Sequence, residues 1–183
     1  MGAGTAYCTM RKRELSLGPV NECLKTREID DVAFSAALAL NNANAAELSF
    51  KTDQGFRALL ECAFHHRCTE HHEALLIALD QDADYSGESF HWFRSRYTRF
   101  VYVDRVAVGS EHRGKGLARA LYEELFVIAR AAGHERVLCE VNLVPPNPIS
   151  DAFHAALGFQ EVGRGVLTRL QREVRYLALE WAQ

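Results

Sequence analysis

The sequence predicts an α/β domain in which helices cover a mixed β-sheet. Apolar runs of strand length alternate along the chain with segments whose apolar residues recur at helical spacing. The chain has 183 residues, of which 48% are hydrophobic and 25% are charged, as in a globular domain with a sizeable core. We therefore expect one sheet with helices packed against it.

The first part of the chain lacks a sustained pattern. Residues 1–33 mix charged residues, isolated hydrophobic residues and a Gly18-Pro19 break. We predict that they form a leader outside the core, which is flexible, binds a partner or is an artificial extension, and that the domain covers residues 34–183. The apolar run Phe34 to Leu40 predicts the first buried strand, and the asparagines that follow predict a turn.

The next segments predict a helix, a strand and a long connection. Thr52 is suited to cap a helix whose apolar face consists of residues at helical spacing, namely Phe56, Leu59, Leu60, Ala63 and Phe64. Ala74 to Leu79 is a continuous apolar run, as expected of a buried strand. Residues 80–99 are polar and aromatic, and they connect this strand to the next one, Phe100 to Val108.

Predicted helices and strands alternate more regularly in the second half of the chain. Leu117 to Ala132 has strong helical periodicity, and Gly133 is placed to end that helix. The elements predicted after it are a strand at 136–143, a proline-rich turn at 145–148, a short helix at about 150–158 and two strands at 159–162 and 173–181.

Charge and composition exclude several classes of protein. The chain has 24 acidic and 21 basic residues, and its net charge of −3 argues against a nucleic-acid partner and against a membrane surface. No apolar run has the length of a membrane span, and Met1 to Lys12 lacks the apolar stretch of a secretory signal. We expect a cytoplasmic protein.

An odd number of cysteines without a Cys-x-x-Cys pair predicts free thiols at Cys8, Cys23, Cys62, Cys68 and Cys139.

A glycine-rich turn joins the predicted strand at 100–108 to the helix that follows. It reads Arg-Gly-Lys-Gly-Leu-Ala from Arg113 to Ala118. Two glycines let the backbone approach a ligand closely, and the N–H groups of a first helical turn have no intrahelical partner and attract an anion. Arg113 and Lys115 add cationic donors. The turn is suited to a pyrophosphate, although a Gly-x-Gly also occurs in plain strand-to-helix turns.

A second motif follows one strand later, Asn147-Pro-Ile-Ser-Asp-Ala-Phe-His-Ala-Ala-Leu-Gly-Phe159. Together the two motifs resemble the GNAT superfamily of acetyl-CoA-dependent N-acetyltransferases, whose pattern is Arg/Gln-x-x-Gly-x-Gly/Ala and then, after a helix and a strand, Asn-x-x-Ala/Ser and Gly-Phe. The resemblance covers about Phe34 to Gln183. Within the superfamily, this chain is similar to a bacterial branch of predicted acetyltransferases that have no assigned substrate. It implies a GNAT-type fold, with a mixed, mostly antiparallel central sheet whose middle strands splay apart and are flanked by helices.

The resemblance also implies how acetyl-CoA is held. Backbone groups of Val106, Ala107 and Val108 would pair with the pantetheine arm where two strands splay. The pyrophosphate would lie on the glycine-rich turn, that is, on Arg113, Gly114, Lys115, Gly116, Leu117 and Ala118. Asn147 and Ser150 match the second motif, and the Asn147 amide is suited to bond the cofactor arm. The alternative is that these two residues organise the proline-rich turn and cap the next helix.

Three residues are candidates for proton transfer. His154 stands where many members carry the tyrosine that protonates the departing thiolate, and a histidine can donate a proton near neutral pH. The alternative is that His154 only packs near the cofactor. Asp104 and Glu140 lie on the two strands that flank the groove, and either could accept the amine proton. An ion pair of Asp104 with Arg105, and a side-chain partner for Glu140, are the structural alternatives.

The connection at 80–99 combines carboxylates and aromatic rings. We predict that Asp84, Tyr85, Trp92 and Tyr97 bind the acceptor, because carboxylates attract a cationic amine and aromatic faces hold its alkyl part. The alternative is a solvated acidic loop whose aromatic residues belong to the core or to a homodimer interface. The aspartates imitate a calcium loop, but Tyr85 replaces the required glycine and His91 the final glutamate.

The sequence thus predicts an enzyme that moves an acetyl group from acetyl-CoA directly to a primary amine of a small molecule or peptide. Direct transfer is favoured because apolar neighbours surround Cys139, the candidate nucleophile. A non-catalytic acyl-CoA-binding or regulatory module, a longer acyl donor and a homodimer stay open. We predict no metal site, since the spacing fits no closed site and surface imidazoles at a helix end explain the potential zinc ligands Cys62, His65, His66, Cys68, His71 and His72.

Overall fold

A seven-stranded sheet with strand order β1-β2-β3-β4-β5-β7-β6 forms the centre of the computed structural model, which describes residues 24–181. The strands are β1 (Thr26–Glu28), β2 (His65–Thr69), β3 (Ala74–Asp80), β4 (Val101–Val108), β5 (Arg136–Val144), β6 (Gln160–Leu167) and β7 (Arg172–Glu180). The helices are α1 (Asp31–Ala43), α2 (Ala45–Leu48), α3 (Asp53–Glu61), α4 (Glu88–Arg94), α5 (Leu117–Ala131) and α6 (Pro148–Leu157). Among the described strands, only β4 and β5 are parallel neighbours. The predicted α/β class with a mixed, mostly antiparallel sheet is confirmed.

Helices cover both faces of the sheet. On one face α1, α3 and α4 contribute Phe34, Phe56 and Phe93, all nearly or fully inaccessible, to one core cluster. On the other face α5 contributes Leu121, which packs in a second cluster with Phe159, two residues beyond the end of α6. Because β3 is buried on both sides, its sequence is a continuous apolar run rather than an alternating one.

The first helix occupies the segment for which we predicted a strand. The Asp30 carboxylate caps α1 by accepting a hydrogen bond from the Ala33 N–H at 3.0 Å. Ala33, Phe34 and Ala37 face the core at helical spacing. The strand predicted for Phe34 to Leu40 is therefore wrong, because a short apolar run fits one side of a helix as well as a buried strand.

The folded part of the chain begins before residue 34. Strand β1 pairs with β2, and Ile29 is buried in the same core cluster as Phe34 of α1. Part of the predicted leader thus belongs to the domain, and residues 1–23, which include Cys8 and Cys23, lie outside the described residues.

The helix predicted after Thr52 is confirmed, but it ends earlier than its apolar face suggested. The Thr52 hydroxyl caps α3 through the Gly55 N–H at 3.1 Å. His65 and His66 do not lie at a helix end, because both belong to strand β2, and successive residues of a strand point to opposite faces. Within residues 24–181 no three histidine, cysteine or acidic side chains lie close enough together to hold a metal ion.

The remaining predicted elements are present with shifted ends. Helix α5 ends at Ala131, and α6 begins at Pro148 rather than near Ser150 and stops at Gly158, whose φ of 94° suits glycine. Strand β6 is longer than predicted. The connection at 80–99 contains a helix, α4, that the sequence did not predict. In the part of the chain that the structure describes, no helix is long and apolar enough to cross a bilayer.

The middle of the sheet is split. Strands β4 and β5 pair only through Val101 with Val137 and Tyr102 with Leu138, and beyond these pairs they diverge. A bulge leaves Asp104 without a register partner on β3 and bends β4 at this point. The split opens the central groove, about 580 Å³ in volume, which is lined by residues 102–108 and 139–142 and by the segments that follow these strands.

Candidate active site

One end of the central groove is formed by the glycine-rich turn at the start of α5. Gly114 and Gly116 have φ values of 75° and 81°, which only glycine adopts without strain, and there is open space where a side chain would stand. No side chain within residues 24–181 caps α5, so among these residues nothing competes with a ligand for the N–H groups of its first turn. A pyrophosphate fits this turn, because unpaired N–H groups and the helix dipole both attract an anion.

The two basic residues of the turn have different surroundings. Arg113 lines the groove and donates to the Asn44 side chain at 3.0 Å, which ties the turn to the end of α1. Lys115 is exposed and lies outside the groove lining, whereas Gly114, Gly116, Leu117 and Ala118 are part of it.

The end of β4 offers free backbone groups. Val106, Ala107 and Val108 pair with β3 along one edge, while their other edge faces the split from β5. All three residues line the groove. An extended amide-containing chain can therefore hydrogen-bond there as an added strand would.

Asn147 and Ser150 make a helix cap. The Asn147 side-chain oxygen accepts a hydrogen bond from the Ser150 N–H at 3.1 Å and so begins α6. The helix cap, which was the alternative to a role in binding the cofactor arm, is thus present. Both residues also line the groove.

The fold strongly changes the acidity of Glu140. It lies on β5 beside the split, and the Tyr102 hydroxyl donates to its Oε2 at 2.8 Å. Burial, and then the charge of Asp104, raise the pKa of Glu140 from its ordinary 4.5 to about 7. At neutral pH this side chain can both accept and release a proton.

Asp104 is already paired. Its Oδ1 accepts from the Tyr85 hydroxyl at 2.7 Å, and its Oδ2 lies 3.0 Å from the Arg105 Nε, although the two groups are not aligned for a hydrogen bond. The ion pair considered as the alternative for Asp104 is present, so a positive charge offsets that carboxylate.

His154 is only 2% exposed, and both of its ring nitrogens contact protein groups. The Nδ1 lies 2.8 Å from the Ser150 carbonyl and must carry the hydrogen, because a carbonyl only accepts. The Nε2, 2.8 Å from the Tyr122 hydroxyl, then accepts from it. Burial lowers the pKa of His154. At neutral pH the His154 ring is therefore neutral, and its one N–H, on Nδ1, is bonded to the Ser150 carbonyl rather than directed towards the groove.

The proton-transfer candidates lie on opposite faces of the sheet. Along β5, Leu138 belongs to the core under α1, α3 and α4, and Cys139 to the core under α5 and α6. Glu140 follows the face of Leu138 because side chains alternate along a strand. Tyr122 and His154 lie on the α5 and α6 side. The split between β4 and β5 is what brings both sets to one groove.

Of the four residues predicted to bind the acceptor, only Tyr85 lines the groove. Asp84 is exposed outside it. Trp92 stacks on Tyr176 with ring centres 4.1 Å apart, and Tyr97 lies under the Arg136 guanidinium at 4.7 Å. Asp84, Trp92 and Tyr97 therefore do not line the central groove, and the two rings pack against other side chains of the protein.

Several residues that line the groove were not predicted from the sequence. Tyr102 and Tyr122 supply the hydroxyls that bond Glu140 and His154. A tyrosine among the apolar positions of a core element needs a partner for its hydroxyl, and this was the available signal. The β6–β7 turn also lines the groove, at residues 167–172, and no sequence signal pointed to it.

A model of the acetyltransferase (GNAT) family matches residues 43–159, which is more than half of the chain. Among curated proteins, N-acetyltransferase 8F1 of Rattus norvegicus is 33% identical over 70 residues, which make up 38% of this chain and 31% of that protein. The chain spans less than a third of the length of the curated relatives it matches.

Solved structures share the fold. The ribosomal-protein-S18-alanine N-acetyltransferase from Escherichia coli has a TM-score of 0.64 at 16% identity, with 87% of this chain and 94% of that chain covered. A chain of the NatC complex bound to Gag peptide and CoA has a TM-score of 0.67 at 15% identity, with 87% and 99% covered. At such identities the likeness concerns the fold alone.

Proposed function

Because this chain belongs to the acetyltransferase (GNAT) family, we propose that it transfers an acetyl group from acetyl-CoA directly to a primary amine of a small molecule or peptide. One observation carries the proposal. The split between β4 and β5 opens one groove onto the uncapped start of α5, which is suited to an anion, and onto Glu140, whose pKa burial raises to about 7. We also propose a cytoplasmic location and neither nucleic acid nor membrane as a partner, whereas a homodimer stays a prediction.

The residues at the α5 end of the groove suit the donor. The turn from Arg113 to Ala118 would hold the pyrophosphate, and the free edge of Val106, Ala107 and Val108 would hold the pantetheine amides. When bound, acetyl-CoA supplies the thioester that the amine attacks. Asn147 and Ser150 would shape the wall beside it, since their cap fixes the start of α6.

Glu140 is our proposed general base. An amine attacks a thioester only in its neutral form, and the most effective base has a pKa close to the working pH. Glu140 meets this condition, whereas the pairing of Asp104 with Arg105 and Tyr85 makes it a weaker candidate. The proton leaves the amine for the Glu140 carboxylate, either directly or through one water molecule.

His154 has a smaller role in this proposal. It can protonate the departing thiolate only when its ring carries a second proton, and burial makes that form scarce at neutral pH. We therefore expect His154→Phe to reduce the rate less than Glu140→Gln does.

The test is the release of free CoA from acetyl-CoA across a panel of amines. We expect an amine-dependent signal that Arg113→Ala weakens through donor binding and that Glu140→Gln removes while donor binding, measured by calorimetry, is kept. Tight CoA binding without an amine-dependent signal would instead support the second candidate, a non-catalytic CoA-binding module. The observation that favours this candidate is the absence of a His154 N–H directed at the groove.

A further inference from the structure

The bulge in β4 places two charged residues on the same face of the sheet as Glu140. Arg105 pairs with Ile77 of β3, whose side chain belongs to the core under α1, α3 and α4, and directly paired residues share a face. The preceding residue, Asp104, lies on that face too, because its carboxylate bonds Tyr85, which packs against the same core. Side chains otherwise alternate along a strand, so two consecutive residues share a face only at such an irregularity. The bulge thus gathers Asp104 and Arg105 on the side of Glu140.

Arg105 offsets the charge of Asp104 only in part. Arg105 is 3% exposed, and its Nη1 donates to other groups, namely the Leu48 carbonyl at 2.6 Å and the Asn41 side-chain oxygen at 2.8 Å. Its Nε lies 3.0 Å from the Asp104 Oδ2, but neither of these buried atoms has a hydrogen-bond partner among residues 24–181. An ion pair without an aligned hydrogen bond is weaker than one that has it. Asp104 therefore keeps an uncompensated part of its negative charge.

A hydrogen bond stabilises the ionised form of Asp104. Its Oδ1 accepts from the Tyr85 hydroxyl at 2.7 Å. Burial raises the pKa of Tyr85, so this hydroxyl keeps its proton and continues to donate at neutral pH. A donated hydrogen bond and a nearby cation both favour a carboxylate over its acid form. These contacts keep Asp104 ionised at neutral pH.

Five other titratable side chains interact with the charge of Glu140 but carry no charge themselves at neutral pH. They come from β4, the segment before α4, β7, α5 and β5, and they are Tyr102, Tyr85, Tyr176, Tyr122 and Cys139. Burial raises the pKa of each of the five, so each keeps its proton. Asp104 differs from them because it is charged, and its charge is second to burial in raising the pKa of Glu140.

We propose that Asp104 is a positioning residue that acts through Glu140, and that its fixed negative charge sets the pH at which Glu140 becomes able to accept the proton of the amine. The inference rests on the proposed function, in which Glu140 is the base. It gives Asp104 a role in which this residue does not itself touch the reacting atoms.

Removing the charge of Asp104 should change the pH at which Glu140 ionises. One negative charge disfavours a second one nearby, so without Asp104 the Glu140 carboxyl loses its proton at a lower pH. Activity that needs the Glu140 carboxylate falls when this group takes up its proton. In Asp104→Asn this fall should occur about 1 pH unit lower than in the parent, since one nearby charge typically shifts a carboxyl by that much.

The test is the pH dependence of kcat/KM for one amine, measured with the full-length enzyme at saturating acetyl-CoA. Because all variants receive the same amine, its own ionisation contributes equally to every profile. We expect the lowest inflection to move down by about 1 pH unit in Asp104→Asn and to stay near the parent's position in Asp104→Glu, which keeps the charge. Asp31→Asn, at a side chain that is 93% exposed, makes the same chemical change outside the groove and should not move it. An inflection at the parent's pH in Asp104→Asn would overturn the proposal.

A ¹³C NMR titration of the side-chain carboxyl groups gives a second result that needs no substrate. We expect Glu140 to titrate near pH 7 in the parent and about 1 unit lower in Asp104→Asn, while Asp104 of the parent stays ionised from pH 5 to pH 8. A protonated Asp104 in the parent at pH 6 would overturn the proposal even if Asp104→Asn did not fold. Acetylation of no amine by the parent would instead defeat the proposed function, so the two failures are distinguishable.

Discussion

Replacing Glu140 with glutamine tests the carboxylate on which the proposed chemistry depends. Glutamine has nearly the same shape and can still accept the hydrogen bond from Tyr102, but it does not ionise. The change therefore isolates the charge of Glu140 from its packing. It should affect both the stability of the protein and the rate of acetyl transfer.

The stability effect follows from the raised pKa of Glu140. Between pH 4.5 and about 7 the carboxyl is ionised in the unfolded chain and protonated in the folded one, so the folded state loses stability as pH rises. Above about pH 7 the full difference is present, and it corresponds to about 3 kcal/mol. At pH 8 Glu140→Gln should therefore be more stable than the parent, while at pH 4.5 the two should be nearly equal.

Thermal or urea unfolding at several pH values measures this difference. For a chain of this size each kcal/mol shifts the Tm by about 2–4 °C, so we expect an increase of about 6 °C or more at pH 8. Glu61→Gln, at an exposed position on α3, is the control and should show no such increase. If the stability of Glu140→Gln and of the parent changed in parallel with pH, the carboxyl would ionise normally and the reasoning would be refuted. The same variant should lower kcat by about 10²–10⁴, the usual contribution of a general base.

Two further variants probe the glycine-rich turn and the buried histidine. Gly116→Ala places a side chain at a φ of 81°, so it should lower the free energy of unfolding by about 1–2 kcal/mol and weaken CoA binding measured by calorimetry. Gly109→Ala, at a φ of −54°, is the control and should do neither. Equal losses in the two variants would contradict this reasoning. His154→Gln removes a histidine whose pKa burial lowers, so the parent should lose stability as pH falls below about 6.5 while the variant loses less. Urea midpoints at pH 7.5 and 5 measure this difference, and identical changes in the two proteins would show that the His154 ring ionises normally in the fold.

The sequence predicted best where local chemistry leaves few alternatives. Gly114 and Gly116 punctuate the turn before α5, and their positive φ values are a property of glycine itself. The periodicity of α5 and the glycine at the end of α6 likewise act within one element. The same local signals carried the family resemblance, which the family match confirms.

Tertiary contacts decided the elements that the sequence missed. The apolar run from Phe34 to Leu40 is a helix, because Asp30 caps it and the sheet offers a face on which its buried side can pack. Strand β2 has a largely polar sequence and forms because β1 and β3 supply its hydrogen-bond partners. Pairing between distant segments does not appear as a pattern within either one.

The features of the candidate site likewise depend partly on local sequence and partly on tertiary structure. Residue types and their local order are enough to indicate which groups could bind an anion or transfer a proton, because these are properties of side chains and of a helix start. Which of these groups act together depends on the folded chain. The pKa of Glu140 is raised to about 7 because distant elements bury it beside Asp104. The Nε2 of His154 is hydrogen-bonded because α5 brings the Tyr122 hydroxyl to it. Burial and charge proximity arise from the packing of segments far apart in the chain, so residue order alone does not specify them.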